Sequence, residues 1–466
     1  MKSLPEKPPL DLDQILGEFT HSALDDATLR SDAAEYNRRY LYWDELKYRI
    51  KDTERRKMVW ALMKFIRMMR FEHVPYRSLP MVYTLTPTII RSLHEFDQYL
   101  SGTIRIHNKT IRLEQSYIIN SLMEEAIASS ILEGAATTRI HAKKMLRRGQ
   151  KPKTEGEQMV INNYEAMKFI LAHKDEPLTP ELMLDIHRLV TRETIDDLHV
   201  GRFRTSNDIV VGDPVSGVVY HQPPDYAQIA ALIEELCTFA NDDEEAGPAA
   251  DTYVHPIIKG IILHYLIGDI HPFNDGNGRT ARTIFYWYVL SRGYWLFEYM
   301  SISRIILRSK KKYALAYLYT EYDDMDLTYF INFNITCITE ALHDLLAYLE
   351  RKQTEQNATK AIIKEIRDIN ARQAAILRSM MEHSDEFFTI RELMQMFDVV
   401  YQTARTDLIH LADLGFLIQE KRGREFIFIF NEKCSLWNEA ADGENRHKSQ
   451  SVLEDFRTGS GNRRPE

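Results

Sequence analysis

Twelve residues, His271-Pro272-Phe273-Asn274-Asp275-Gly276-Asn277-Gly278-Arg279-Thr280-Ala281-Arg282, constrain this chain more than any other stretch. They lie between two apolar helical segments, Ile257 to Ile267 and Thr283 to Leu290, and so form a loop that opens into a helix. Gly276 and Gly278 tolerate positive φ and leave the backbone bare, so successive amides can converge on an anion. The helix that follows adds its unpaired N–H groups and the positive end of its dipole. Arg279 and Arg282 are three apart and share one face. Two cations at that end of a helix are unfavourable by roughly 0.3–1 kcal/mol each, and a bound polyanion reverses the sign. Asp275 is a hard oxygen ligand beside the nest, where Mg²⁺ can bridge carboxylate and phosphates. His271, with an ordinary pKa of about 6.5, is suited to taking a proton from a hydroxyl.

Two other readings of the same residues compete. One is a glycine-rich interhelical turn with surface arginines and a packed histidine. The other gathers His255, His264, Asp269 and His271 into the metal cluster of a hydrolase, which leaves the Gly-Asn-Gly nest and both arginines without a role.

The stretch resembles the Fic family motif His-x-Phe-x-Asp/Glu-Gly-Asn-Gly-Arg-x-x-Arg and matches it at every defined position. The resemblance covers about residues 113 to 307. It implies a mainly α fold: a Fic-type helical bundle with a β-hairpin flap that transfers AMP from ATP to a protein hydroxyl. His271 would then be the general base and Asp275 the Mg²⁺ ligand. Gly276, Asn277 and Gly278 would form the anion hole within a nucleotide-binding run that continues through Arg279, Thr280, Ala281 and Arg282, with Arg282 on the γ-phosphate. Tyr313 falls where family members often line the adenine pocket, although core packing is an equal reading.

The helix from Leu113 to Glu133 matters for how it ends. Ile119, Met123, Ile127 and Ile131 bury one face, and Gly134 is a natural stop. Glu133 then sets a negative charge on the negative end of the dipole, which is unfavourable unless a cation faces it. Arg282 has the same difficulty reversed. The run Ser129-Ser130-Ile131-Leu132-Glu133-Gly134 also resembles the Fic inhibitory motif Ser/Thr-x-x-x-Glu-Gly/Asn, which implies that Glu133 pairs with Arg282 and blocks the productive γ-phosphate pose.

Elsewhere the chain reads as helix. Tyr40, Tyr42, Trp43, Leu46 and Tyr48 supply core bulk between Ala33 and Met69. Helices are expected over Thr88 to Leu100, Ile140 to Arg148, Glu155 to Ala172, Pro180 to Thr191, Tyr226 to Asn241, Ser301 to Arg308 and Lys310 to Tyr322. One or two more fill Asp326 to Glu365. His187 is expected to be packed. Between them, Ile209-Val210-Val211 and Val218-Val219-Tyr220 flank Pro and Gly turn signals and read as a hairpin. Its open edge can pair with an extended peptide; by resemblance this is the flap that holds a target segment over His271.

From Arg372 to Phe430 the pattern is three helices and a β wing, similar to a winged helix-turn-helix with Tyr401 to Asp413 in the recognition position. Gln402, Thr403 and Arg405 could reach base edges or phosphates, and Lys421, Arg422 and Arg424 a minor groove. That stretch holds seven Lys/Arg against nine Asp/Glu, so it lacks a basic footprint and DNA binding through 371–431 is not favoured over protein interaction. The expected division is 1–110, an N-terminal helical region; 111–308, the core with an inhibitory helix at 113–134 and a flap at 208–221; 309–370, a helical extension; 371–431, the winged helix; and 432–466, a disordered tail.

Composition narrows the partners. A formal net charge of −9 gives no global attraction to nucleic acid or an anionic membrane. Cys237, Cys337 and Cys434 are too scattered for a disulfide framework or a zinc site. The N-terminus has no apolar core of a signal peptide and no run suggests a membrane span, so a cytoplasmic location is the default expectation. The function expected is a protein adenylyltransferase using ATP and Mg²⁺, acting on a Ser, Thr or Tyr hydroxyl of a target protein and held in check by Glu133. Self-modification and a homodimer are compatible with it. The alternatives are AMP removal with Glu133 orienting water, or a transcriptional regulator in which the core senses nucleotide and the winged helix binds DNA.

Overall fold

The structure is a computed structural model that describes residues 4–9, 26–102, 105–106, 109–110, 115–213, 217–242, 253–365, 369–382, 387–397, 399–422 and 425–431. The tail from 432, the turn residues Pro214 and Ser216 of the hairpin, and Arg424 lie outside the described residues. Two compact units divide the chain, residues 1–345 and 346–466.

The first unit opens with α1 (Ala27–Arg38), α2 (Trp43–Leu46) and α3 (Thr53–Met68), in place of a continuous helical stretch from 33 to 69. Tyr40, Tyr42, Trp43 and Leu46 are buried as expected, whereas Tyr48 is exposed. The cluster they form closes on Tyr329, and Tyr42 stacks on Tyr319 with ring centroids 3.9 Å apart. A short antiparallel pair, β1 (Glu72–His73) and β2 (Val82–Tyr83), precedes α4 (Pro87–Tyr99), and a second pair, β3 (Arg105–Ile106) and β4 (Lys109–Thr110), follows it. Two residues per strand leave no periodicity to read, and neither pair was expected.

Next come α5 (Gln115–Leu132), α6 (Arg139–Arg147), α7 (Glu155–Ala172) and α8 (Pro180–Thr191). Thr154 and Thr179 cap the last two, each accepting from the third amide of its helix. The hairpin is β5 (Val211–Asp213) paired antiparallel with β6 (Val218–His221), with a register irregularity at Val211/Gly212. Ile209 and Val210 therefore precede the first strand and do not belong to it.

After α9 (Ile229–Asn241) the chain enters α10 (Pro256–Ile270), whose residues are buried on every side. A helix without a polar face belongs at the centre of a bundle. It packs along α11 (Asn277–Ser291), also buried nearly throughout. Then follow α12 (Ile302–Arg308), α13 (Lys310–Tyr322) and one long α14 (Thr328–Glu365). Among the described residues no helix is long and apolar enough to cross a membrane.

The second unit holds α15 (Ala371–Glu382), β7 (Phe387–Thr389), α16 (Ile390–Phe397), α17 (Tyr401–Asp413), β8 (Leu417–Arg422) and β9 (Glu425–Phe430). The strands form an antiparallel sheet in the order β7, β9, β8. Thr389 and Glu392 exchange reciprocal hydrogen bonds at the start of α16, a capping box. Leu377, Leu393, Leu408, Leu411, Phe416 and Phe428 make a core of their own.

Candidate functional site

The loop from His271 to Gly276 is held by contacts that the motif alone does not reveal. His271 caps α10 in the left-handed region, φ 49°, its amide donating to the Ile267 carbonyl. Phe273 is fully buried, and the His187 imidazole lies flat on it, centroids 3.8 Å apart and planes 4° off parallel. His187 Nδ1 accepts from the Gly201 amide at 3.0 Å, so Nε2 carries the proton and donates to the Asp275 carbonyl at 2.9 Å. Burial holds the His187 pKa down at about 4, which keeps this neutral tautomer. Arg204 donates from Nε to the His271 carbonyl at 2.9 Å, and its amide donates to the Pro272 carbonyl. Neither support was identified as such in the sequence. Gly201-Arg202-Phe203-Arg204 carries no periodic signal for the pairing.

Asn277 has a second task beside the backbone role that its place in the motif implies. Its side chain accepts from the Phe273 amide at 3.0 Å and donates to the Phe273 carbonyl at 2.8 Å, closing the loop on itself. Only its backbone remains for an anion. Asn277→Ala is expected to lower stability by about 2 kcal/mol, because both Phe273 groups lose their partner in a buried site. A shift of the denaturation midpoint checks this, and an unchanged midpoint contradicts the staple.

Gly276, φ 81°, is the N-cap of α11 and offers no side chain to the first turn. The amides of that turn have no partner within the helix. The Arg279 guanidinium is buried, donating to the Val190 carbonyl at 2.7 Å and lying 3.4 Å from Asp275 Oδ2. It braces Asp275, whose carboxylate is largely exposed. Thr280 and Ala281 face the core with 0% and 1% exposure, and the Thr280 amide is spent on the Gly276 carbonyl. Neither side chain lines the cavity described below, since a helix turns these positions away from the face shared by Gly278 and Arg282.

The end of α5 meets this face. Gly134, φ 94°, lets its own amide bond the Ile131 carbonyl and the Ala135 amide bond that of Ser130, a Schellman closure that makes Glu133 the C-cap residue. Its carboxylate lies over Gly278, where an added Cβ would fall 2.4 Å from Oε1. Arg282, 3% exposed, donates from Nη2 to Glu133 Oε1 at 2.9 Å and to the Ser129 carbonyl at 3.1 Å, and from Nε to Ser129 Oγ at 2.9 Å. Burial works against the guanidinium's charge, but Glu133, Tyr313 and Glu125 together outweigh it and the pKa is raised. Two unforeseen contacts fasten α5. Glu125, 2% exposed, accepts from Tyr286, Ser301 and both the amide and hydroxyl of Ser303. Lys310 donates to the Leu132 carbonyl at 2.5 Å.

A cavity of about 230 Å³ opens beside the Glu133–Arg282 pair. Gly278, Arg282 and Glu133 line one part, and the Tyr313, Tyr317 and Tyr265 rings another. Val211, Tyr220 and His221 of the hairpin line it too, whereas Val219 and, just before β5, Val210 are exposed. Tyr313 Oη lies 2.8 Å from His264 Nε2, so this tyrosine both packs and lines the cavity. His271 Nδ1 lies 3.2 Å from the Gly268 carbonyl, a contact that requires the proton on Nδ1 and leaves Nε2 with its lone pair. Burial pushes the His271 pKa down to about 4. The imidazole is therefore a free base throughout the neutral range. The imidazole is expected to stay neutral as pH falls from 6.5 to 5 and to take a proton only through about 4; an NMR titration of His271 with its midpoint near 6.5 overturns that assignment.

The four residues of the hydrolase reading do not converge. His264 is paired with Tyr313 and His255 with Asp97, and among the described residues no group of three or more His, Cys, Asp or Glu could hold a metal ion. Asp275 does fit a cation held mainly by a nucleotide's phosphates, as an exposed hard carboxylate at an uncapped helix start.

The profile of the Fic/DOC family matches residues 177–289. Protein adenylyltransferase Fic of Aedes aegypti is 31% identical over 132 residues, covering 28% of this chain and 23% of that protein. Protein adenylyltransferase fic-1 of Caenorhabditis elegans is 26% identical over 216 residues, covering 45% and 38%. The chain thus spans well under half the length of the curated relatives it matches. Among solved structures, a Fic family protein from Desulfovibrio desulfuricans G20 is 17% identical with a TM-score of 0.49, covering 75% of this chain and 97% of that one.

Proposed function

We propose that this chain, which carries a Fic/DOC domain and has Fic adenylyltransferases among its relatives, is a protein adenylyltransferase held in an inhibited state by Glu133. The observation that carries the reading is one cavity lined by His271, with Nε2 unprotonated, and by Gly278 and Arg282 of an uncapped helix start. A base and an anion seat facing the same space suit attack of a hydroxyl on a phosphate.

In the reaction, a Ser, Thr or Tyr hydroxyl of a target protein gives its proton to His271 Nε2 and its oxygen attacks the α-phosphate of ATP. The bond from that phosphorus to the bridging oxygen breaks, and pyrophosphate leaves. The first amides of α11 face the charge that develops, and Arg282, once released, takes up the γ-phosphate. Asp275 would hold Mg²⁺, which when bound neutralises phosphate charge. Arg279 steadies Asp275. The exposed edge of the β5–β6 hairpin would hold the target segment, with Val210 and Val219 outward. Incubation of the purified chain with ATP labelled on the α-phosphate, followed by mass spectrometry, tests this. Hydroxyl-linked AMP on the chain or on a target is expected, and transfer of γ-phosphate alone overturns it.

AMP removal is the second reading, favoured by Glu133 lining the same cavity as His271, where it could orient water. Loss of label from a pre-modified target in the wild type, abolished by Glu133→Gly, distinguishes it. The helices and sheet of residues 371–431 support a winged helix-turn-helix, read as a module for protein contact and not for DNA.

A further inference from the structure

His221, the last residue of β6, makes two contacts that the transfer reaction described above leaves unused. Its Nε2 donates to the Asp269 carbonyl at 2.7 Å, in the last turn of α10 and two residues before His271. Its Nδ1 lies 3.1 Å from Glu321 Oε2, near the end of α13. The side chain is 16% exposed and lines the cavity together with both partners. A carbonyl and a carboxylate are both acceptors, so the two bonds together require a proton on each ring nitrogen. The rest of the hairpin is a short two-stranded ribbon with an irregular register at Val211/Gly212. Such a ribbon has little stability of its own.

We propose that His221 is a positioning residue that locks β6 across the cavity mouth by bridging the ends of α10 and α13, and that the lock holds only while the imidazole carries both protons. The inference rests on the transfer reading for its consequence in catalysis, but not for the lock itself. The titratable groups that share the cavity with His221 on this side are Asp269 and Tyr265 of α10, His271 at its C-cap, and Glu321 and Tyr317 of α13. Burial disfavours the imidazolium, but the Glu321 hydrogen bond and the Asp269 charge outweigh it, and the pKa is raised above the ordinary value. Asp269, its own pKa raised by burial to about 6, is ionised at neutral pH. Once His221 loses a proton, one nitrogen faces an acceptor with a lone pair and one strut is lost. The flap then loosens just where the target segment must lie over His271.

The test uses the full chain carrying Glu133→Gly, alone and with His221→Gln or His221→Ala. Three quantities are read: amide exchange at pH 7, ATP affinity by calorimetry, and self-labelling with ATP from pH 6 to 9. In both His221 variants exchange across Val218–His221 is expected to rise about tenfold while α10 stays protected. ATP affinity should stay within about twofold, since the lock bears on the flap and not on the phosphate seat. Labelling by the Glu133→Gly parent should fall toward the alkaline end, and His221→Gln, which cannot titrate, should lose that limb. Unchanged exchange in β6 overturns the lock. So does an ATP affinity that falls in step with labelling, which would make His221 a nucleotide contact, or an alkaline limb that persists in His221→Gln. A parent that transfers no AMP defeats the transfer reading, and amide exchange alone then decides the lock.

Discussion

Glu133→Gly is expected to raise AMP transfer by about 100-fold while leaving the fold intact. Arg282 is buried and spends Nη2 on the Glu133 carboxylate, which itself covers Gly278 at the start of α11. A closed state favoured by roughly 2.7 kcal/mol holds about 99% of molecules inactive, and removing the carboxylate removes that bias. Breaking a buried ion pair is often costly because it strands a charge. Here Ser129 still accepts two hydrogen bonds from Arg282, and the Glu133 side chain is 32% exposed at a helix end. The melting temperature should therefore move by only a few degrees. The variant also frees the seat for a triphosphate, so ATP should bind more tightly. Equal labelling of variant and wild type at equal melting temperature would sink the inhibitory role.

His271→Asn in the Glu133→Gly background should cut transfer by about 10²–10⁴-fold, the usual contribution of a positioned base. Asparagine is the better probe than alanine, because residue 271 sits at φ 49° and Asn tolerates the left-handed region. The loss then reports the missing lone pair and not a distorted loop. ATP affinity should hold, since Gly278 and Arg282 are untouched. Transfer that survives the substitution assigns the proton to another group and removes His271 from the reaction.

How much of this was legible beforehand depends on the range of each interaction. The starts of α7, α8 and α17 follow from local chemistry, a Thr cap or an apolar period, and fall at Glu155, Pro180 and Tyr401 as expected. Tyr48 broke the pattern of its neighbours by facing solvent. The buried pair Lys64–Asp323, 2.8 Å apart, and the Arg67 bond to Tyr329 join residues about 260 positions apart, with no local pattern to announce them.

At the site the same division holds. Local chemistry alone has a glycine-rich turn open a helix with cations on one face, and has a glutamate ending an earlier helix need a cation opposite it. Those are consequences of φ preference, helix dipole and residue spacing, all carried within a few residues. Which groups do the holding followed from packing: His187 and Arg204 beneath the loop, Glu125 of α5 and Lys310 of α13 securing α5, His221 on the flap. Packing also turned Asn277 into a staple, sent Thr280 and Ala281 into the core and gave Arg279 to Asp275. Apart from the Asn277–Phe273 and Arg279–Asp275 contacts, which span four residues, these are partnerships between segments far apart in the chain, settled by which buried donor finds an acceptor once the helices have packed.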